Sequence, residues 1–598
     1  MLKKLCAAAA ALLLAGALIW ALVPPGKVPP VLDSLETDAG GVDDWENVIA
    51  YVPLDDRTDN LEDVIYLAEA SGYRIVMPEG DVYCTKLDGQ AVNSNGTQYG
   101  DREALMTWVR EMDRQGCDLF LLSLDQLFSG GLVNSRAISA EQPLVFDDGA
   151  VMSETEAFDA FILSLAEDPE NRVYLFDSVV RLASTVGYQG FDVEEYYALR
   201  AYGMAARPAL EGDALTLENI FAAYPYAEDG VVPAEETLEN DAYRSVLTED
   251  VIADYLGVRM RKLKLLDYVI SALKTTEHDN IHLLIGIDDS SNTANIQYNE
   301  LHYIERQLGR GSTLLPGLDS LARLLVGQIA QESYGRQVKA SVRYVGGSQS
   351  IPSSEFDLYT LEETVDLHMD LFRAIRVPEA EAELQVLVMT APAEPEKAQE
   401  YCEELVSTLE HNSEAHIPTV LIEASNNAYG DMLEQMLFDR VDFAQLVAFA
   451  GKYDQANVTG AAFAMGFSRY LYLACRPEKE DACDIAQVRQ LANSMALTYP
   501  YILHTRQQLN EYIKKLGGNY NNILPNRVTD KLIQQKLEAL FLPGCETVCE
   551  NLRGTRLVTS LAPYAEKTVT DLSITDVYFP WNRTFELSFT INVSPLAE

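Results

Sequence analysis

The feature that most constrains this chain is a repeat of short apolar runs, each followed by a polar turn and then, in most cases, a helix-period segment. Nine runs carry it: NVIAYV (47–52), YRIVMP (73–78), CDLFLLSLD (117–125), RVYLFD (172–177), IHLLIGIDD (281–289), SVRYVGG (341–347), LQVLVMTAP (384–392), PTVLIEAS (418–425) and QLVAFAG (445–451). Most lack the polar alternation of a half-exposed strand, so they read as strands covered on both faces. Helical periodicity fills most intervals, at Phe158–Leu165, Tyr255–Leu273, Tyr298–Leu308, Leu318–Ala330 and Leu361–Ile375. Repeated strand–helix units make a parallel sheet. The expected class is therefore α/β, as a (β/α)8-like barrel with helical insertions. Two doubly wound parallel sheets compete with it, and periodicity alone does not separate the two.

The repeat does not cover the whole chain of 598 residues. At the start, Lys3 and Lys4 precede an uncharged apolar run of 19 residues, Leu5–Val23. That is the pattern of an export signal or, at this length, an N-terminal membrane anchor. Residues 24–44, rich in Pro, Gly and Asp, read as a linker. The α/β body is expected over 45–480, with an acidic insertion at 208–250. From 481 to 598 a helical region is followed by a β accessory unit that ends on the alternating strand FELSFTINV. Within it, PWNRTFE (580–586) is expected to pack this unit against the body. The body is expected to be extracytoplasmic, either secreted or held at the membrane by the first 23 residues.

Charge and motifs exclude several functions. A net charge of −46, from 91 acidic against 45 basic residues, argues against nucleic acid, whose binding needs Lys and Arg to displace counterions. It also leaves no membrane contact to expect beyond the N-terminal segment. No H-E-x-x-H, P-loop or strand-linked G-x-G-x-x-G occurs, so zinc-protease and nucleotide chemistry lack support. The eight cysteines are too sparse for a disulfide scaffold, and Cys545 with Cys549 is the one close pair.

In either architecture function sits at the carboxyl ends of parallel strands. The residues there are Asp55, Asp56 and Arg57, with Asn60 beyond; Asp125; Asp177 and Arg181; Asp288 and Asp289; Glu423, Asn426 and Asn427; and Lys452, Tyr453, Asp454 and Asn457. A single carboxylate at such a place is commonly a helix N-cap. Together they predict a cleft ringed by carboxylates and carboxamides. Three readings fit it: glycoside hydrolysis by a carboxyl pair, divalent-metal hydrolysis on hard oxygen ligands, or glycan or peptide binding without chemistry. The first is preferred. It makes Asp288 or Asp289 the general acid and Asp125 or Asp177 the partner carboxylate. Asp55, Asp56, Arg57, Asn60, Arg181, Glu423, Asn426, Asn427, Asp454 and Asn457 then hold substrate. No cofactor is required, although the carboxylate ring would admit a divalent cation. The expected partner is a small molecule or glycan.

Five motifs carry a resemblance: VPLDDRTDN (52–60), LLSLDQLFSGGLVNSR (121–136), LFDSVVRLAS (175–184), AFAGKYDQANVTG (448–460) and PWNRTFE (580–586). By their order the chain resembles the bacterial family catalogued as domain of unknown function 4127, from about residue 47 to 590. It departs from the family pattern in having GIDDSSNTANIQ (286–297) in place of a Gly-Ala-Asp-Glu type turn, and Thr58 in place of Pro. The resemblance implies one coherent unit and supplies no reaction. It points to Asp55, Asp56, Arg57, Asn60, Asp125, Asp177, Arg181 and Asn457. The adjacent acids Asp288–Asp289 also resemble the paired acids of substrate-assisted hexosaminidase-type barrels.

Overall fold

All nine apolar runs are strands in the computed structural model, which describes residues 46–225, 247–276, 278–451, 454–476, 479–523 and 527–598. The N-terminal apolar segment, the linker, Lys452, Tyr453 and the middle of the 208–250 insertion lie outside the described residues. In chain order the strands are β1 (Val48–Val52), β2 (Arg74–Val76), β3 (Leu119–Ser123), β4 (Leu144–Val145), β5 (Val151–Met152), β6 (Arg172–Val179), β7 (Ile281–Ile287) and β8 (Ser312–Pro316). There follow β9 (Lys339–Val345), β10 (Ile375–Arg376), β11 (Leu384–Thr390), β12 (Thr419–Ala424) and β13 (Leu446–Ala450). The last four are β14 (Arg556–Leu561), β15 (Tyr564–Thr568), β16 (Leu572–Tyr578) and β17 (Ser588–Val593).

Two parallel sheets result. One has six strands in the order β2-β1-β3-β6-β7-β8, and the other five in the order β10-β9-β11-β12-β13. The parallel register aligns Ala50 with Phe120, Phe176 with Leu284, and Val388 with Ile422. Every residue of β1, β3, β11, β12 and β13 is buried, as strands covered on both faces require. β8 and β10 escape the sequence reading because STLLP begins polar and β10 has two exposed residues. β4 with β5, β14 with β15, and β16 with β17 form antiparallel pairs.

The helix Gln455–Cys475 is buried from Gln455 to Leu473 and packs on β12 and β13 and on the helix Leu321–Tyr334. A helix apolar on all sides belongs in a core. Gly466 lets it approach the sheet: a Cβ there would lie 2.2 Å from Val420 Cγ2. The long helix Glu249–Thr275 brings Arg259, Arg261 and Lys262 inside, a cluster of buried cations with consequences below. Past residue 480, the helix Asp481–Ala496 runs through a π-helical stretch, Leu497–Thr505, into the helix Arg506–Lys515. Pro500 lies in that stretch and has no N–H to give, which suits a widened turn. Among the described residues no helix is long and apolar enough to cross a membrane.

Asp59 lies in a 3-10 turn, Thr58–Asn60, and the first helix begins at Glu62 without a side-chain cap. Asp55 holds that turn by accepting from Asn60 Nδ2 at 2.9 Å. Cys545 and Cys549 lie one turn apart on the helix Arg527–Leu552, buried and unbridged.

Candidate functional site

The carboxyl ends of β1, β6, β7, β8 and β13 open on one cavity of about 430 Å³. β1 delivers Arg57. Its guanidinium is clamped by Asp55, with Nε at 3.0 and 2.9 Å from the two carboxylate oxygens and Nη2 at 2.7 Å. Asp55 is fully buried and spends its lone pairs on this clamp and on Asn60, so both position Arg57 from behind. The far side of Arg57 reaches Asp319, which follows β8. Asp56 turns away from the cavity wall. It accepts from Thr85 N at 3.0 Å and Trp581 Nε1 at 2.8 Å, and burial raises its pKa.

β6 leads to Arg181, 3.1 Å from Asp289 and stacked on Tyr196 at 5.5 Å. β7 leads to Asp288 and Asp289. Asp288 is paired with Arg136, whose guanidinium also donates to Thr185 Oγ1 at 3.3 Å. After β8, Gly317 takes φ +88°, which a side chain rarely tolerates, and the following two backbone N–H groups donate to Asn457 Oδ1 at 3.0 Å each. After β13, Asp454 caps the buried helix, accepting from Asn457 N and Nδ2 at 3.1 Å each. Asn457 therefore braces the β8 turn against the β13 turn.

Burial dominates the electrostatics of these acids. It pushes Asp288 up to about 6, against the Arg136 charge and with help from Asp289. Asp454 also rises to about 6, through burial and the charges of Asp289 and Asp319. Asp357, in the loop after β9, rises to about 7 through burial and the Asp454 charge, although Ser354 N and Oγ donate to it at 2.9 and 2.8 Å. Asp319 is raised as well, burial outweighing Arg57. The acids sense one another, so they titrate as a cluster.

Not every strand-end residue reaches this place. Asp125 and Asp177 are fully buried and do not line the cavity. Lys262 joins them, with Nζ 2.6 Å from Asp125 Oδ1 and in contact with Asp177, and Ser178 Oγ donates to Asp125 Oδ2 at 2.6 Å. Burial disfavours the Asp125 carboxylate, but Lys262 and its hydrogen bonds more than offset this and lower its pKa. Asp177 moves up, with burial leading. Glu423 is buried on β12, accepting from Ser425 N at 3.0 Å, while Asn426 and Asn427 sit at positive φ in the exposed turn beyond. None of these three lines the cavity.

Arg136, Arg506, Arg583, Asp319, Asp357 and the aromatic side chains of the lining were not singled out in the sequence as site residues. Five arginines (Arg57, Arg136, Arg181, Arg506, Arg583) face five aspartates (Asp288, Asp289, Asp319, Asp357, Asp454), so the carboxylates of the strand ends are matched in number by guanidiniums. Six aromatic residues join them: Tyr196, Tyr197, Phe356, Tyr520, Trp581 and Phe585. PWNRTFE does pack on the body, Trp581 meeting Leu87, Val133 and Tyr188, and it lines the cavity as well. Arg136 closes the motif LLSLDQLFSGGLVNSR, and Asp319 follows STLLPG, so both had a sequence signal. Among the described residues no group of three or more His, Cys, Asp or Glu side chains is placed to hold a metal ion.

The family model described as protein of unknown function (DUF4127) matches residues 49–590. No curated protein and no solved structure matches the chain.

Proposed function

The chain belongs to that family, and we propose that it is an extracytoplasmic glycoside hydrolase whose acid and base are cleft carboxylates. The observation that carries this reading is a cavity holding both Asp454 and Asp288, each raised to about 6, between aromatic walls. Glycosidic cleavage needs one carboxyl group that is protonated at working pH and one that is ionised. Sugars present C–H faces that aromatic side chains cover.

The roles follow from the neighbours. Asp288 has Arg136 on it, a partner that favours the carboxylate, so Asp288 is the base or nucleophile. No cation touches Asp454 among the described residues, and two neighbouring acids oppose its ionisation, so Asp454 is the proton donor. This reverses the role expected of Asp288 from its strand-end position and replaces Asp125 and Asp177 as partner, since both are committed to Lys262. Arg57, Arg181 and Asn457 hold hydroxyls or shape the turns. A barrel-like closure and a pair of doubly wound sheets would both present strand ends in this way, so the reading stands on either architecture. The N-terminal apolar segment supports export.

The test is a screen of aryl-glycosides and peptidoglycan fragments with wild type, Asp454→Asn and Asp288→Asn. The expected result is turnover of at least one substrate, lost by about 100-fold or more in each variant. The wild-type rate should peak near pH 6, falling below it as the base Asp288 takes up a proton and above it as Asp454 gives its proton up. Wild type and variants equally inert, with glycans still bound, would leave a binding protein and end the enzymatic reading. Full turnover by Asp454→Asn would overturn the assignment of the acid.

A further inference from the structure

One wall of the cavity comes from neither parallel sheet. It is built by Arg506, at the end of the π-helical stretch, and by Trp581, Arg583 and Phe585, just before β17. Guanidiniums and rings alternate along it. Arg57 and Arg583 stand 5.0 and 4.9 Å from the Trp581 ring, Arg583 stands 5.5 Å from Phe585, and Arg506 lies 4.5 Å from Phe585.

The three cations are not equivalent. Arg57 is neutralised by Asp55 and Asp319, and Arg583 by the buried Glu586. Arg506 has no carboxylate partner among the described residues, and its Nε is shielded from solvent without a hydrogen-bond acceptor. Of the five arginines that line the cavity it is the one without an ion pair among the described residues, in a chain whose acids outnumber its bases 91 to 45. Stacking on Phe585 orients the guanidinium without neutralising it. Phe585 itself is 42 % exposed, so apolar ring surface beside the guanidinium remains open to a sugar ring.

We propose that the Arg506–Phe585 end of the cavity is a subsite for an oxyanion carried by the saccharide, either a carboxylate or a sulfate or phosphate ester. The ring rests on Phe585 while the anion takes the Arg506 fork, whose planar donors match such groups. This deepens the glycosidase reading by giving the substrate a charge, and it rests on that reading only in taking the ligand to be a sugar.

Dissociation constants of the full chain for glucose, glucuronic acid, glucose 6-phosphate and glucose 6-sulfate test it. The expected result is that at least one charged probe binds about tenfold tighter than glucose, as one charge-assisted pair should give. The rank among the three identifies carboxylate or ester. Arg506→Gln should collapse the ratio and Arg506→Lys should keep part of it, with each variant's melting temperature measured alongside. The wild-type ratio should also shrink with added salt, a readout that needs no variant. No preference in the wild type, no binding by any charged probe, or a ratio unchanged in a folded Arg506→Gln protein would overturn the proposal. Hydrolysis of glycans without charge preference would remove the subsite and keep the hydrolase, whereas preference without hydrolysis would do the reverse.

Discussion

Lys262 is the only cation in contact with Asp125 and Asp177 among the described residues, and all three side chains are almost completely inaccessible. Burial works against its ammonium, but the two carboxylates together hold its pKa up. Asp177 Oδ2 finds no donor, so even the intact cluster is incompletely satisfied. Lys262→Met would leave two acids facing one another without a counter-ion. Loss of one partner of a buried pair costs about 3–5 kcal/mol, and the expected outcome is a destabilisation of that order in chemical denaturation. A cost below about 1 kcal/mol would mean that the cluster is solvated. The same residues mark the limit of reading a site from strand ends. Asp125 and Asp177 follow the rule by position, yet the residue that claims them is 137 and 85 positions away on a helix whose register no local pattern announces. Arg57, Arg181, Asp288, Asp289, Asp454 and Asn457 obey the same rule and do line the cavity. Arg506, Tyr520 and Phe585 lie outside the strand repeat altogether, so the rule had nothing to say of them.

At the scale of one element, the helix Gln455–Cys475 joins stability to the site through its first turn. Asp454 is its N-cap, and a folded-state pKa of about 6 means that the folded protein binds this proton more readily than the unfolded chain. The sign follows: its ionisation penalises the fold, stability falls as pH rises from about 4 to about 6, and the penalty is complete above that. Asn caps a helix as well as Asp does and carries no charge. Asp454→Asn is therefore expected to stabilise the protein by roughly 1–2 kcal/mol near pH 7 and by almost nothing near pH 4, in denaturation at both values. An equal effect at the two pH values would show that the charge is not the cause. A residue that weakens its own fold when ionised is what a stability–activity trade-off looks like at a proton donor. The strand that ends here was legible, as QLVAFAG with the polar turn after it, whereas the helix Gln455–Cys475, apolar on most of its faces, gave no helical period to read. The shift at Asp454 was not legible either, because it depends on Asp289 and Asp319 arriving from β7 and β8.

For the whole molecule the question is whether the chain after residue 552 can be removed. Its strands β14 to β17 make only antiparallel pairs and join neither parallel sheet, which is how an appended unit would look. The side chains argue otherwise. Trp581 Nε1 supplies one of the donors that hold Asp56, Thr58 Oγ1 donates to Leu587 O at 2.8 Å, and Ser588 Oγ donates to Glu62, a carboxyl raised to about 7 by burial. Tyr501 OH donates to Thr584 O at 2.6 Å, tying the π-helical stretch to the same segment. Cutting the chain after Leu552 would uncover Asp56 and Glu62, empty the pocket of Leu87, Val133 and Tyr188 that Trp581 fills, and take Trp581, Arg583 and Phe585 from the cavity lining. Loss of the Trp581 side chain alone is of the class that costs about 3–5 kcal/mol, a large part of the stability of an ordinary domain. The truncated chain is therefore expected to lose its cooperative thermal transition and become sensitive to limited proteolysis throughout residues 46–552. A truncated protein that melts cooperatively within a few degrees of the full chain would show instead that the body folds alone. The cavity would then be a site completed from outside.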